Sequence, residues 1–494
     1  MLRFFDLERI DAAKRDVVAR IKDFDEIYEI FRPQKASEQA ERCIQCGDPY
    51  CHNGCPLHNF IPHWLKRTAE NDLEFAFNLS NESSPFPEVM GRICPHDRLC
   101  EGNCTLNDGY GAITIGSIET FISEEGFKKG LRPRFAEKKV GKKVAVVGAG
   151  PAGLSVATFL LREGIDVELF DRQNRPGGLL TYGIPGFKLD KNVVERRVKL
   201  LKEAGAVFHQ NTEVGKDISF EELVENFDAV FIGSGATRGR RPGINGEEAK
   251  GCYLAMEFLV DIQKKLFDEP RELTIDVKEK NVVVIGGGDT AMDCVRTSLR
   301  EKARNVKCLY RRDASNMPGS RKEYVNAKEE GVEFEFYCAP KEILRNEHGE
   351  VVGVEMVKTR LGEPDASGRQ RVEEIPGSEF TVPADVVIFA LGFDPVAYPF
   401  LAENGIETDK WGGILVDENY ETTKAGVYAG GDCHRGADLV VTAVRDGREA
   451  ARAMAKKLIV NSFGAGFARG FNYSSVFRLL IPHLFQSFSS DRSL

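Results

Sequence analysis

Two short, uninterrupted apolar runs stand out in the hydrophobic pattern of the chain. Val144-Ala145-Val146-Val147 and, about 140 residues later, Val282-Val283-Val284-Ile285 read as strands buried on both faces of a parallel sheet. Each leads into a glycine-rich turn and then a helical pattern, so the chain contains two βαβ units, a duplication of architecture rather than a short-period repeat. Ahead of them the pattern changes. Residues 8–31 carry apolar side chains at Ile10, Val17, Ile21, Phe24, Ile27 and Phe31, which predicts an amphipathic helix ended by Pro33. From there to about Gly130 the pattern predicts short helices and little strand.

The two glycine turns differ in character. The first, Gly148-Ala149-Gly150-Pro151-Ala152-Gly153, allows a tight bend, a close approach of backbone amides to a pyrophosphate, and close helix–strand packing. The strand that follows, Val167 to Phe170, ends in Asp171, 21 residues after Gly150, where a carboxylate can accept a bond from a ribose 2′-hydroxyl. This unit is expected to bind an adenine dinucleotide without a 2′-phosphate, either FAD or NAD. The second turn is Gly286-Gly287-Gly288-Asp289-Thr290-Ala291, and its next strand ends in Arg311-Arg312 instead of a carboxylate. Two guanidiniums there suit a 2′-phosphate, which points to NADPH, although two surface arginines on a loop would look the same. A third element, Val427 to Asp432, places Gly431 and Asp432 after a strand and suggests that the first unit resumes once the second is complete.

Composition adds the candidate redox chemistry. The 494 residues are 42% hydrophobic and 29% charged with a net charge of −9, so neither extensive disorder nor a nucleic-acid footprint is expected. No apolar run is long enough for a membrane span, and the start lacks a signal-peptide core, so a cytoplasmic protein is expected. Seven of the 12 cysteines fall between Cys43 and Cys104. In a reducing compartment this clustering indicates metal ligation or redox chemistry rather than a disulfide framework. The run Cys43-x2-Cys46-x4-Cys51-x3-Cys55-Pro56 resembles the bacterial ferredoxin pattern, whose last cysteine crosses to another cluster. By that analogy Cys43, Cys46 and Cys51 with Cys104 hold one [4Fe–4S] cluster, and Cys55 joins Cys94 and Cys100 at a second. Two clusters need one ligand more than seven thiolates supply, and Glu119 is the candidate. Structural zinc, with His52, His58 and His96 nearby, is the competing reading. It would leave a binding or scaffold protein with no redox role.

The cysteine region, with Pro56-Leu57-His58-Asn59-Phe60-Ile61-Pro62 and the run from Cys94 to Asn107, closely resembles the small (beta) subunit family of bacterial NADPH-dependent glutamate synthases. So do Arg175 to Pro185, which supplies Gly178 and Leu179 as further cofactor-binding candidates, and the run from Tyr310 through Pro318-Gly319-Ser320-Arg321. The resemblance spans about residues 1–457. It implies an α/β protein: an N-terminal α-helical iron–sulfur domain followed by two Rossmann-like dinucleotide-binding domains, the FAD domain interrupted by the NADPH domain. The expected boundaries are 1–140 for the bis-[4Fe–4S] domain, 141–240 and 386–457 for FAD, 241–385 for NADPH, and 458–494 for a tail of unknown role. The resemblance further implies electron entry, NADPH reducing FAD and electrons leaving through the clusters to a large (alpha) subunit in a hetero-oligomer. That subunit carries FMN and the glutaminase site, and makes two glutamates from glutamine and 2-oxoglutarate. It also agrees with Glu119 as the non-cysteine ligand. The same layout resembles the electron-input parts of dihydropyrimidine dehydrogenase and of NADH-dependent ferredoxin:NADP oxidoreductase. A free-standing ferredoxin or quinone reductase would need no large subunit.

Overall fold

A computed structural model describes residues 2–364 and 370–464, with the backbone alone over 460–464. Two five-stranded parallel sheets form its centre. In the first, Lys143–Val147 lies between Asp166–Phe170 and Ala229–Ile232, with Val207–His209 and Val427–Ala429 at the edges. In the second, Asn281–Ile285 lies between Asn305–Tyr310 and Val386–Phe389, flanked by Glu333–Phe336 and Cys252–Leu254. The duplication read from the apolar runs is therefore a duplication of sheets, and each run is the middle strand of its own. Because Val427–Ala429 pairs with Ala229–Ile232, the first unit closes only after the second is complete.

The boundary expected at residue 386 falls later. Val386–Phe389 pairs in register with Asn281–Ile285, so it belongs to the second sheet. The return passes through Phe393–Pro395, which pairs with Ala236–Gly239. The second unit also carries a three-stranded antiparallel sheet of Cys338–Arg345, Val351–Pro364 and Gln370–Pro383.

The N-terminal domain is helical, as its pattern predicts, but residues 8–31 are not one helix. Only Val17–Arg20 is helical, and the segment doubles back so that Arg15 N donates to Ile27 O and Glu29 N to Ala13 O. Its apolar residues serve different partners: Phe24 packs on the second sheet's core and Phe31 on the helical domain's own. Pro33 opens a helix, Pro33–Glu41, instead of closing one, at the first position where its fixed φ and missing N–H cost nothing.

The segment straps three parts of the molecule together. Arg20, 1% exposed, reaches Glu330 at 3.0 Å and Glu329 at 2.8 Å in the second unit, and Ile27 N donates to Phe187 O in the first. At the other end of the chain, Val440–Gly464 packs along Pro151–Arg162, where the Ser155 hydroxyl donates to Val444 O. This helix runs through residue 458, where the tail was expected to begin, while 465–494 lies outside the described residues.

Candidate functional site

Cys43, Cys46, Cys51 and Cys104 line one small cavity of about 20 Å³, together with Ile44, Pro62, Leu65 and Ile115. The Gln45 amide donates to the Cys43 sulfur at 3.2 Å, and the Cys46 sulfur lies 3.3 Å from the Thr105 hydroxyl. Cys55, Cys94, Cys100 and Glu119 form a second group, each close enough to influence the ionisation of another. None of the 12 cysteines is paired in a disulfide. Burial pushes the Cys51 thiol up to about 12, and those of Cys43, Cys55, Cys94 and Cys100 upward as well. Thiols so placed become thiolates only beside a strongly positive group, such as iron. Among the described residues no three His, Cys, Asp or Glu side chains converge on a point that one metal ion could fill. Four thiols around a cavity fit a polynuclear cluster better than a single zinc, whose four ligands lie within about 2.3 Å of one ion.

Glu119 sits on Ile115–Lys128, and burial pushes its carboxyl up to about 8 against the opposing bond from Asn59. The Asn59 amide donates to Glu119 at 2.8 Å, while the Asn59 oxygen accepts from the Trp64 indole at 3.2 Å and from Ser83 at 3.1 Å. In the loop between Cys94 and Cys100, the His96 Nε2 is buried without a hydrogen-bond partner. The sequence reading gave Asn59, Trp64 and Ser83 no role at the site, because neutral residues whose links to one another and to Glu119 span 5, 24 and 60 positions carry no common spacing signal.

The first glycine turn ends the middle strand of its sheet, and Pro151–Arg162 begins directly after Gly150. A Cβ on Gly153 would lie 2.0 Å from Gly148 O, so no other residue fits there. Gly178, at φ +54°, presses on Gly150: its Cβ would meet the Gly150 Cα at 2.8 Å, and the neighbouring Gly177 N donates to Ala149 O. Leu179 starts the short helix that follows. Gly431 closes the third side, where a Cβ would stand 3.0 Å from the Ala152 Cβ. Three separate glycine elements thus meet in one backbone cradle suited to a pyrophosphate. Asp171 faces it, one oxygen accepting from Ala149 N at 2.7 Å and the other from Gln173 N at 2.8 Å. Burial pushes the Asp432 carboxyl up to about 7. Asp446 braces this corner, accepting from Gly431 N and from both arms of Arg435.

The second turn has the same placement in its own sheet, with Gly288 capping Asp289–Arg300 and open space where a Gly288 Cβ would be. Thr290 and Ala291 lie in the helix's first turn. Arg311 is exposed at the end of Asn305–Tyr310, while Arg312 turns inward and donates to Gln370 O at 2.9 Å. The structure therefore does not present the two arginines alike: Arg311 alone faces solvent.

Two dinucleotide folds in one chain, joined to a thiol-rich helical domain, define an oxidoreductase of the pyridine-nucleotide class. Residues 142–447 match the family described as pyridine nucleotide-disulphide oxidoreductase, and residues 20–131 match the 4Fe-4S cluster domain II of dihydropyrimidine dehydrogenase. The chain is similar to the glutamate synthase [NADPH] small chain of Escherichia coli K12, with 50% identity over 457 residues, 91% of this chain and 97% of that one. Similarity to the corresponding chain of Azospirillum brasilense is 47% over 462 residues, covering 92% and 95%. The chain belongs to the family of bacterial glutamate synthase small chains. It is also 49% identical, over 91% of its length, to 70% of the putative oxidoreductase AegA of E. coli. Mycobacterium tuberculosis FprA in complex with NADPH shares the fold, at a TM-score of 0.56 and 20% identity over 69% of this chain and 90% of that one.

Proposed function

We propose that this chain is the electron-input subunit of a glutamate synthase. It would oxidise NADPH at FAD and pass electrons through two [4Fe–4S] clusters to a large subunit that makes glutamate. In this reading NADPH lies on Gly286, Gly288, Asp289, Thr290 and Ala291, with Arg311 on its 2′-phosphate and Arg312 shaping the loop behind. FAD lies on Gly148, Gly150, Pro151, Ala152, Gly153, Asp171, Gly178, Leu179, Gly431 and Asp432. The thiols of Cys43, Cys46, Cys51 and Cys104 hold one cluster; Cys55, Cys94 and Cys100 with the Glu119 carboxylate hold the other. When bound, FAD supplies the conversion of a two-electron donor into single electrons.

One observation carries this order. Cys94 packs against the same apolar core as Ala149 and Ala152 of the first turn, Cys55 touches both that core and the helical domain's, and Cys43, Cys51, Cys100 and Cys104 belong to the helical domain's core. Contact with the first unit through Cys55 and Cys94 supports the reading in which the second group receives electrons from FAD and the Cys43 group, beside the exposed Tyr50, passes them on. The free thiols suit a reducing cytoplasm.

The test is purification from the source cells, followed by assay with NADPH, glutamine and 2-oxoglutarate. The expected result is a larger partner carrying FMN and a glutaminase site, an NADPH-bleached flavin band, and glutamine-dependent glutamate formation. The 49% identity to AegA favours a second reading, in which the same input module serves another acceptor. Flavin bleaching with no such partner and no glutamate would decide for that reading.

A further inference from the structure

Arg98 has no part in the ligand or nucleotide sets above, yet it is where the iron–sulfur domain touches the second glycine turn. It ends the short turn His96–Arg98, between Cys94 and Cys100. Its guanidinium crosses to the other unit, where Nη1 donates to Pro318 O at 2.7 Å and Nη2 lies 3.6 Å from an Asp289 carboxylate oxygen. The other Asp289 oxygen accepts from Ser320 N at 2.9 Å, and Gly319 N donates to Gly287 O at 3.1 Å. The segment 318–320 is thus latched onto the glycine turn, and Arg98 grips that latch from the iron–sulfur side.

Stability does not account for this contact. The side chains of Arg98 and Asp289 are 44% and 36% exposed, and so open an ion pair adds little to folding. Its position is more informative. Asp289 is the first residue of a 12-residue helix, at the end where a pyrophosphate gains most from the backbone amides. A carboxylate in that place repels the incoming phosphates, and a guanidinium beside it offsets the repulsion and offers its own donors.

We propose that Arg98 is a pyrophosphate contact lent to the second nucleotide site by the iron–sulfur domain, and that through it the Cys94–Cys100 loop responds to nucleotide occupancy. This rests on the reading of the second turn as the pyridine-nucleotide site and of Cys94 and Cys100 as cluster ligands. On binding, phosphate oxygens take over the donors now given to Pro318 and Asp289. The Arg98 turn shifts, and with it the loop whose two ends hold the cluster. Changes next to a ligand alter a cluster's electronic properties.

The test uses the holoenzyme and two probes by calorimetry. One is 2′-phospho-ADP-ribose, which carries the pyrophosphate but accepts no hydride; the other is 2′-AMP, which lacks the pyrophosphate. Arg98→Gln is expected to weaken the first about tenfold, as loss of a charge-assisted bond implies, and to leave 2′-AMP within about twofold. Arg311→Gln weakens both. The paramagnetic resonance spectrum of the reduced clusters is expected to change when 2′-phospho-ADP-ribose is added to the parent and to stay unchanged in Arg98→Gln. Arg98→Lys, which keeps the charge, restores part of the affinity and carries the test if Arg98→Gln loses iron or flavin. Equal affinity of parent and Arg98→Gln for 2′-phospho-ADP-ribose, or a parent spectrum that ignores it, overturns the proposal while the nucleotide reading stands. A parent that binds neither probe overturns both.

Discussion

Glu119, the proposed non-cysteine ligand, shows how such a group is prepared by residues outside the ligand set. Asn59 spends its amide on the carboxylate, and Trp64 and Ser83 fix Asn59 in turn. Outer partners of this kind set both orientation and affinity. Glu119→Ala is therefore expected to lower iron and acid-labile sulfide by about half while leaving flavin content unchanged, and Glu119→Cys to retain both clusters with an altered spectrum. Full iron retention in the alanine variant would remove Glu119 from the ligand set. At this scale the sequence was legible wherever chemistry repeats at short spacing, as in the cysteine runs and the glycine turns. It gave no role to Asn59 or Arg98, whose partners Glu119 and Pro318 lie 60 and 220 residues on, nor to Asp446, an acidic residue with no motif around it. It also treated Arg311 and Arg312 as equals, whereas a turn at the strand end sends one outward and the other to Gln370.

Among the elements, the strap formed by residues 8–31 departs furthest from its pattern. Apolar spacing near 3.6 residues predicted a helix, but Ile10 stays exposed and Phe24 and Phe31 pack into two different cores. A single helical stripe cannot serve both. The strap's polar anchor is a buried network in which Glu330 accepts from Arg20 at 3.0 Å and from Arg296 and Arg300 at 2.8 Å each. Burial alone would raise the Glu330 carboxyl, but Arg296 and Arg300 outweigh it and hold it down to about 2. Glu330→Gln leaves three buried guanidiniums short of a counter-charge, which costs about 3–5 kcal/mol and lowers the thermal midpoint. A carboxyl depressed on folding contributes its stability above the unfolded value near 4.3 and loses it as pH falls towards 2. The deficit of the variant is accordingly expected to stay constant from pH 6 to pH 9. A deficit that varied across that range would assign the effect to another group.

For the whole molecule, the arrangement sets an order of events. In the proposed order, in which the group of Cys55 and Cys94 receives electrons from FAD and the Cys43 group passes them on, removing a ligand of the Cys43 group interrupts only the last transfer. Cys104→Ala is expected to keep NADPH-driven flavin bleaching at the parent rate and to lose glutamate formation in the assembled complex. Loss of bleaching itself would contradict that order. The two sheets were legible from two apolar runs, their interruption from the glycine element at Val427 to Asp432, and the helical leader from its pattern of short helices around the cysteines. Their joints were not, because domain contacts depend on pairs such as Arg98 with Asp289 or Arg20 with Glu330.

The strap also bears on how the protein is made. Arg20 leaves the ribosome 310 residues ahead of Glu330, which at about 5–20 residues per second is a wait of about 15–60 s. Through that interval the earliest part of the chain has no acceptor for its buried cation, and its Phe24 has no core to enter. The strap, made long before its partner, is thus among the last segments to settle, and a nascent chain stalled before residue 330 would leave it open to chaperones and proteases.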